Sequence, residues 1–543
     1  MKTGLVTGGA AALSAPPLDT RPSAAATLPS RTPFNLGVAS GDPLPTSVII
    51  WTRLAVSPLA ENGLGGMSWS TQTLHWQVAT SATFGSTTIV RSGTVAAYAA
   101  NAHSVHVNVT GLLPGREYFY RFRLGPKYIS RVGRTRTAPA ADEMPASLAM
   151  SFVSCSAWER GWFTNYLRLA EDEPDLVLHL GDFMYEYPKN FTANGVRDNS
   201  GPETVTLANY RQRHAQYKTD TDLKVALAIA PWAVVFDDHE VSNNWADETP
   251  ASASQVPGFM TRRAAAFKAY YENMPLRASS IPNGPDMRLH RRLQWGRLAN
   301  LHMLDTRQYR DNQACGDGWD NCPAADDPSR SMLGTAQEQW LADGFTSSRA
   351  TWDVLGQQVF FSRRDRTATP DNTVDMDAWD GYRPSRVRVT NSWVRAQVRN
   401  PIVLTGDVHA HWTSDVLADF SAPDSPVVGS EFVCSSVTSG GDGYDEPTGQ
   451  HPWAAHNPNL KFWTNLRGYV NTRITPASFT AAFRCVPRVT VKGAAAFTRA
   501  TFVVDDGVRG MRQTFESPAR SRAAIAPRSD AEKIRDTLRA ESP

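Results

Sequence analysis

Four short apolar runs in this chain end in polar residues of the kinds that hold metal ions. "MSFVSCS" ends at Cys155, and "LVLHLGDFMYEY" delivers Asp182 with Tyr185 three residues on. "AVVFDDHEVSNN" empties into Asp237, Asp238 and His239, followed by Asn243 and Asn244. "IVLTGDVHAHW" gives Asp407, then His409 and His411 at two-residue steps. Apolar runs of about four to eight residues bounded by turn signals read as buried strands. Carboxylates at the ends of such strands are costly when unpaired, and a multivalent cation removes that penalty. Turns have no need of Cys, Tyr and His, so the four motifs together predict one polynuclear metal centre.

That constraint selects a fold. Between the runs, "GWFTNYLRLAEDE", "LANYRQRHAQYKTDTDLKVALAIA" and "TAQEQWLADGF" read as helices, and Trp295-Gly296 as a hairpin turn. Alternating strand and helix predicts parallel strands in an α/β layer. In such sheets ligands sit in the crevice beyond the carboxyl ends of the strands, where all four motifs fall. His179 lies inside its run and is expected in the core, with Trp245 and Trp412 walling the site.

Residues 34–137 read differently, as short alternating strands separated by turn signals such as "GDPLP" and "LLPGRE". This pattern predicts a small β-sandwich. "VTGLLPGREYFYRFR" resembles the tyrosine-corner region of fibronectin type III domains. The expected organisation is a multidomain α+β chain. It comprises a disordered export-signal remnant (1–32), a β-sandwich (33–138), a Pro/Ala-rich linker (139–147), a metal-binding domain (148–505) and a loose tail with a short helix (506–543). In the first segment Lys2 precedes a Gly/Ala run and a small-residue exit, the order of an export signal. It resembles the latter part of a twin-arginine signal whose Arg pair is missing, as a start codon placed too late would leave it.

The net charge is +2, which gives no general attraction to nucleic acid or membrane. No stretch reaches the roughly 20 apolar residues of a membrane span. Five cysteines fit an exported protein: Cys315 and Cys322 close a short Gly/Asp-rich loop, and a bridge between Cys434 and Cys485 is plausible. Cys155 is then left over as a thiol. There is no P-loop, paired-glycine nucleotide fingerprint or zinc-protease helix.

"SCS", "LGDFMYEY", "FDDHEVSNNW" and "LTGDVHAHW", in this order after "FNLGVASGDPLPTSVIIWTRL", resemble the PhoD-like family. These are secreted alkaline phosphatases and phosphodiesterases of the calcineurin-like metallophosphatase superfamily. The resemblance covers roughly 33–505 and implies a four-layer α/β/β/α catalytic domain. It implies Fe(3+) held by Cys155, Asp182, Tyr185 and His409, with Asp182 bridging to a Ca(2+) site built from Asp238, Asn243 and Asp407. Thiolate and phenolate are strong donors to ferric iron, and carboxylates favour a hard cation. Asp238, His239 and Asn243 are open to either metal or phosphate, while Asn244 and Asp237 are expected to bind substrate. Metal-activated hydroxide would attack phosphorus, and His239 or His411 would protonate the leaving alkoxide.

The expected function is thus a secreted, monomeric, metal-dependent hydrolase of phosphoric mono- or diesters. One alternative is a phospholipase D-like diesterase acting on phospholipid or teichoic acid. The other is a cell-wall binding protein whose phosphatase domain is degenerate.

Overall fold

The computed structural model describes residues 28–368, 372–422, 424–446 and 450–519. The expected export segment up to residue 27, and the tail from 520, lie outside these.

The apolar runs ending at Cys155, Asp182 and Asp237 become the strands Leu148–Val153, Leu176–Leu180 and Pro231–Val235. They pair in parallel at the middle of a ten-stranded sheet. Toward one edge follow Gly468–Ile474, Ser478–Cys485, Phe497–Asp505 and Arg512–Glu516, all antiparallel. The last of these is a correction to the expected loose tail, because residues 512–516 form an edge strand on Phe497–Asp505. The fourth motif ends the strand Pro401–Thr405, in a seven-stranded sheet with Ala299–Met303, Trp352–Gln357 and Val427–Val433 parallel to one another through it.

Side-chain alternation along the seven-stranded sheet places it between two cores. Val354, Ile402 and Leu404 join Leu178 and Val234 of the ten-stranded sheet in one apolar cluster. The intervening Leu355 and Val403 turn the other way, onto Leu341, Phe345, Val389 and Trp393 of the helices Gly334–Ser347 and Arg383–Arg395. The helices Thr164–Glu171, Leu207–Thr219 and Phe259–Asn273 add Tyr166, Tyr217 and Phe267 to the shared core. The long expected helix after Leu207 is two helices. Asp220 leaves the helical conformation and accepts N–H bonds from Asp222 and Leu223 to start Thr221–Ile229.

The N-terminal strands divide between two sheets. Gln72–Ala79, Ile89–Ala97, Glu117–Leu124 and Tyr128–Ile129 make a separate five-stranded sheet with Gly133–Arg136. The Tyr118 hydroxyl accepts the Leu113 N–H at 2.9 Å. Val38–Leu44, Ser47–Arg53 and Ser104–Thr110 instead continue the ten-stranded sheet, through parallel pairing of Ser40 with Pro231 and Gly41 with Trp232. Gly41 is required there: a Cβ would lie 2.3 Å from the Pro275 carbonyl and 2.8 Å from that of Trp232. Val38, Val48 and Ile50 pack on Leu74, Tyr120 and Phe122 of the five-stranded sheet.

Among the described residues no helix is long and apolar enough to cross a membrane. Cys315 and Cys322 form a disulfide. Cys434 and Cys485 do not, which corrects the second expected bridge. Cys434 lies in the core between the sheets with its sulfur 3.4 Å from Ser154 Oγ, while Cys485 packs with Leu466 in a separate small cluster.

Candidate metal centre

The four motifs meet where the strands of both sheets end. Ligand atoms of Cys155, Asp182 and His409 lie within 4.8 Å of one another, as do those of Asp182, Asp237, Asp238 and Asp407. Asp182 belongs to both groups and to a third with Asp238 and His239. Tight turns aim these side chains inward: Cys155, Asp182, Asn244, Asp407 and His409 all adopt positive φ, which is uncommon outside glycine. Gly181 clears the way, since a Cβ there would lie 2.3 Å from Asp237 Cβ.

Hydrogen bonds join the donors into one network. Tyr185 donates its hydroxyl to Asp182 Oδ2 (2.9 Å), lies 3.1 Å from His409 Nε2, and accepts from Ser439 Oγ (2.7 Å). The Cys155 thiol donates to Ser154 Oγ (3.1 Å). Glu240 accepts N–H bonds from Asp182, Phe183 and Asp237 and so fixes two motifs to each other. Arg307 binds Asp237 (2.6 Å) and Asp377 (2.8 Å), and Arg310 also binds Asp377 (2.6 Å).

The electrostatics leave room for cations. Burial, then neighbouring carboxylates, push Asp407 well above the usual carboxylate range, and burial does the same to Asp182 against the pull of His239. Burial also raises Asp237 to about 6 and Glu240 to about 8. Burial would raise Asp238 as well, but His239 and Arg307 hold it below the ordinary value. Asp237 Oδ2 and Asp238 Oδ1 are buried with no hydrogen-bond partner among the described residues. Oxygens without a hydrogen bond, in a group that shares Asp182 with a thiol and an imidazole, fit a multivalent cation set, because such ions satisfy lone pairs that no donor here fills.

Most of the expected site residues converge. His411 does not join them: its Nδ1 accepts the Ser435 N–H (2.9 Å), and its ring packs edge-on against Phe483. Burial pushes it down to about 3, so it is a neutral core histidine and not a leaving-group acid. Asp237 is fully buried, with Oδ1 on Arg307 and a ligand oxygen within 4.8 Å of those of Asp182, Asp238 and Asp407. Asn244 donates its N–H to Asp238 Oδ2 (2.8 Å) and its Nδ2 to Asp317 (3.3 Å). The Asn243 N–H is held by Glu186 (2.9 Å). His239 is nearly buried, its Nδ1 2.7 Å from Glu186 Oε2 and its Nε2 4.0 Å from Asp238. Burial alone would lower its pKa, but Asp238 and Glu186 raise it well above the ordinary value. His179 is a core residue as expected, 3.0 Å from the Tyr166 hydroxyl. Trp245 and Trp412 also pack in aromatic cores and do not wall the site.

Sequence reasoning missed Arg307, Asp377 and Asp317. Arg307 and Asp317 lie in the segment after Ala299–Met303 and Asp377 just after the short strand Val374–Asp375, and only "LDTRQYR" following an apolar run hinted at them.

A buried oxygen-rich centre with thiol, phenol and imidazole donors, at the strand ends of two mixed sheets, has the make-up of a polynuclear metal site. The chain belongs to the PhoD-like phosphatase family: that family's model matches residues 149–483, and the model of its N-terminal domain matches 20–139. Alkaline phosphatase D of Bacillus subtilis (strain 168) is 46% identical over 487 residues, 89% of this chain and 82% of that protein. The solved structure of PhoD superposes with a TM-score of 0.89 at 44% identity, covering 95% of this chain and 98% of that one.

Proposed function

We propose that this protein is an exported hydrolase of phosphoric mono- and diesters that works with Fe(3+) and Ca(2+). The observation that carries the reading is the sharing of Asp182 between a thiol–imidazole group and a four-carboxylate group. Cys155, Asp182, Tyr185 and His409 would hold the iron, and Asp182, Asp238, Asp407 and Asn243 the calcium. Cations held there supply polarisation of the phosphoryl oxygens and a lowered pKa for the attacking water. We read the two sheets with their helices as the four-layer metallophosphatase scaffold.

The chain's own groups divide the remaining work. His239, oriented through Nδ1 by Glu186, keeps a proton that its ring can hand to the departing alkoxide. Arg307 offsets the charge of Asp237 and Asp377, so the carboxylates stay together at the strand ends. Asn244, held by Asp238 and Asp317, would bind the outer oxygens of a phosphate. A cell-wall binding module with a degenerate site is disfavoured, because the Cys, Asp and His donors lie together in overlapping groups.

The test is turnover of p-nitrophenyl phosphate and bis(p-nitrophenyl) phosphate by the purified protein, before and after a calcium-selective chelator. Activity on at least one ester, lost on chelation and restored by calcium better than by zinc, is expected. Restoration by zinc alone would overturn the calcium assignment, and inactivity on both esters the function.

A further inference from the structure

Beside the centre a row of aromatic rings runs from buried to exposed. The His239 ring lies 4.1 Å from that of Tyr185 and 5.3 Å from that of Tyr187, which meets it edge-on. Phe191 then stacks face to face on Tyr187, with centroids 3.9 Å apart and planes 6° from parallel. Its outer face is open: Phe191 is 50% exposed. A large ring left half in water is a loss of apolar burial that a stacked partner would recover.

The loop that carries Phe191 is built to hold it there. The Phe191 N–H bonds the Pro188 carbonyl (3.3 Å), Lys189 bonds Gly201 (2.9 Å), and Val196 bonds Glu159 (2.8 Å). Asn190 turns the chain at positive φ. Farther along, the Arg197 guanidinium sits 3.7 Å over Trp158 and pairs with Asp220 at 2.7 Å. The Glu186 carbonyl takes the Thr204 N–H (2.9 Å), tying the return of the loop to the residue that orients His239.

We infer that Tyr187 and Phe191 form a leaving-group subsite that accepts a flat aromatic or heteroaromatic group, by stacking on the exposed face of Phe191. The placement follows from the row of rings: the His239 ring lies beside the ligand cluster, Tyr187 packs on it, and Phe191 carries the row to the surface. This rests on the phosphoesterase reading above. Two kinds of ester share the required π face, aryl phosphates and nucleoside phosphates, whereas glycerol 2-phosphate lacks it.

The experiment compares steady-state kinetics of the metal-loaded full chain and Phe191→Ala on 1-naphthyl phosphate, adenosine 5′-phosphate and glycerol 2-phosphate. The variant should raise KM for one or both flat esters about five- to tenfold, with kcat little changed. Glycerol 2-phosphate should stay within about twofold of wild type, and Phe191→Trp should restore the flat esters. Loss on naphthyl phosphate alone assigns the subsite to aryl groups, and loss on the nucleotide alone to nucleosides. Unchanged kinetics on both flat esters, or an equal loss on all three, would overturn the subsite. Wild-type protein that hydrolyses none of the esters would instead remove the phosphoesterase reading on which it rests.

Discussion

The Glu240 carboxylate spends its acceptor capacity on the N–H groups of Asp182, Phe183 and Asp237, so it shapes the centre without being one of its donors. Removing it leaves three buried donors unpaired, each costing about 1–3 kcal/mol. Glu240→Ala should therefore lower unfolding free energy by about 3 kcal/mol or more, read from the urea midpoint with an unchanged m-value. A loss below about 0.5 kcal/mol would mean that these N–H groups find other partners. At this scale the sequence was informative for donors and poor for their supports. Cys155, Asp182, Tyr185, Asp238, Asp407 and His409 were legible because a polar residue of unusual type closes an apolar run. Glu186 and Arg307 were not, since their partners lie far off in sequence and nothing local distinguishes them from solvated charges. His411 misled because a two-residue step after His409 carries it into a new strand, where it faces Phe483.

At the scale of elements, the strand Leu176–Leu180 carries His179 into the core with its Nδ1 unpartnered. Burial, then Lys218, push this imidazole down to about 3, below the roughly 6.5 of an unfolded chain. Between those values the unfolded chain binds the proton and the folded one does not, so stability is present above pH 6.5 and falls as pH drops toward 3. The slope contributed is about 1.4 kcal/mol per pH unit. His179→Leu should flatten the fall in Tm between pH 7 and 4.5 relative to wild type, and identical pH profiles would contradict this. Strands were legible as elements, but two helices were not. Phe259–Asn273 buries Arg262 and Arg263, and Arg383–Arg395 buries Arg386 against Asp380 at 2.7 Å. Buried arginines erase the apolar periodicity by which a helix is read. The edge strand Arg512–Glu516 was equally hidden, because all five of its residues are exposed.

For the whole molecule, the sequence suggested a separable β-sandwich, and the pairing of Ser40 and Gly41 with Pro231 and Trp232 makes one of its sheets part of the central sheet. Alternation within a strand reveals which faces are buried, never which distant strand lies alongside. Arg53 adds to this union: its guanidinium reaches the Arg211 carbonyl and Asn273 Oδ1, both far along the chain. Calorimetry should accordingly show residues before 139 and after 148 unfolding in one cooperative transition. Two well-separated transitions would restore the independent-domain picture.

The central claim is that one bridged centre, with Cys155 on one side of Asp182 and Asp407 on the other, holds iron and a hard cation and hydrolyses phosphoric esters. Elemental analysis of the purified protein, with its visible spectrum and ester turnover recorded on the same samples, tests this most directly. Wild-type protein should hold stoichiometric iron and calcium and show a thiolate- or phenolate-to-iron band. Cys155→Ser should shift or abolish that band, and Asp182→Asn should cut turnover by about two or three orders of magnitude while remaining folded. A colourless, iron-free protein with full activity would contradict the account.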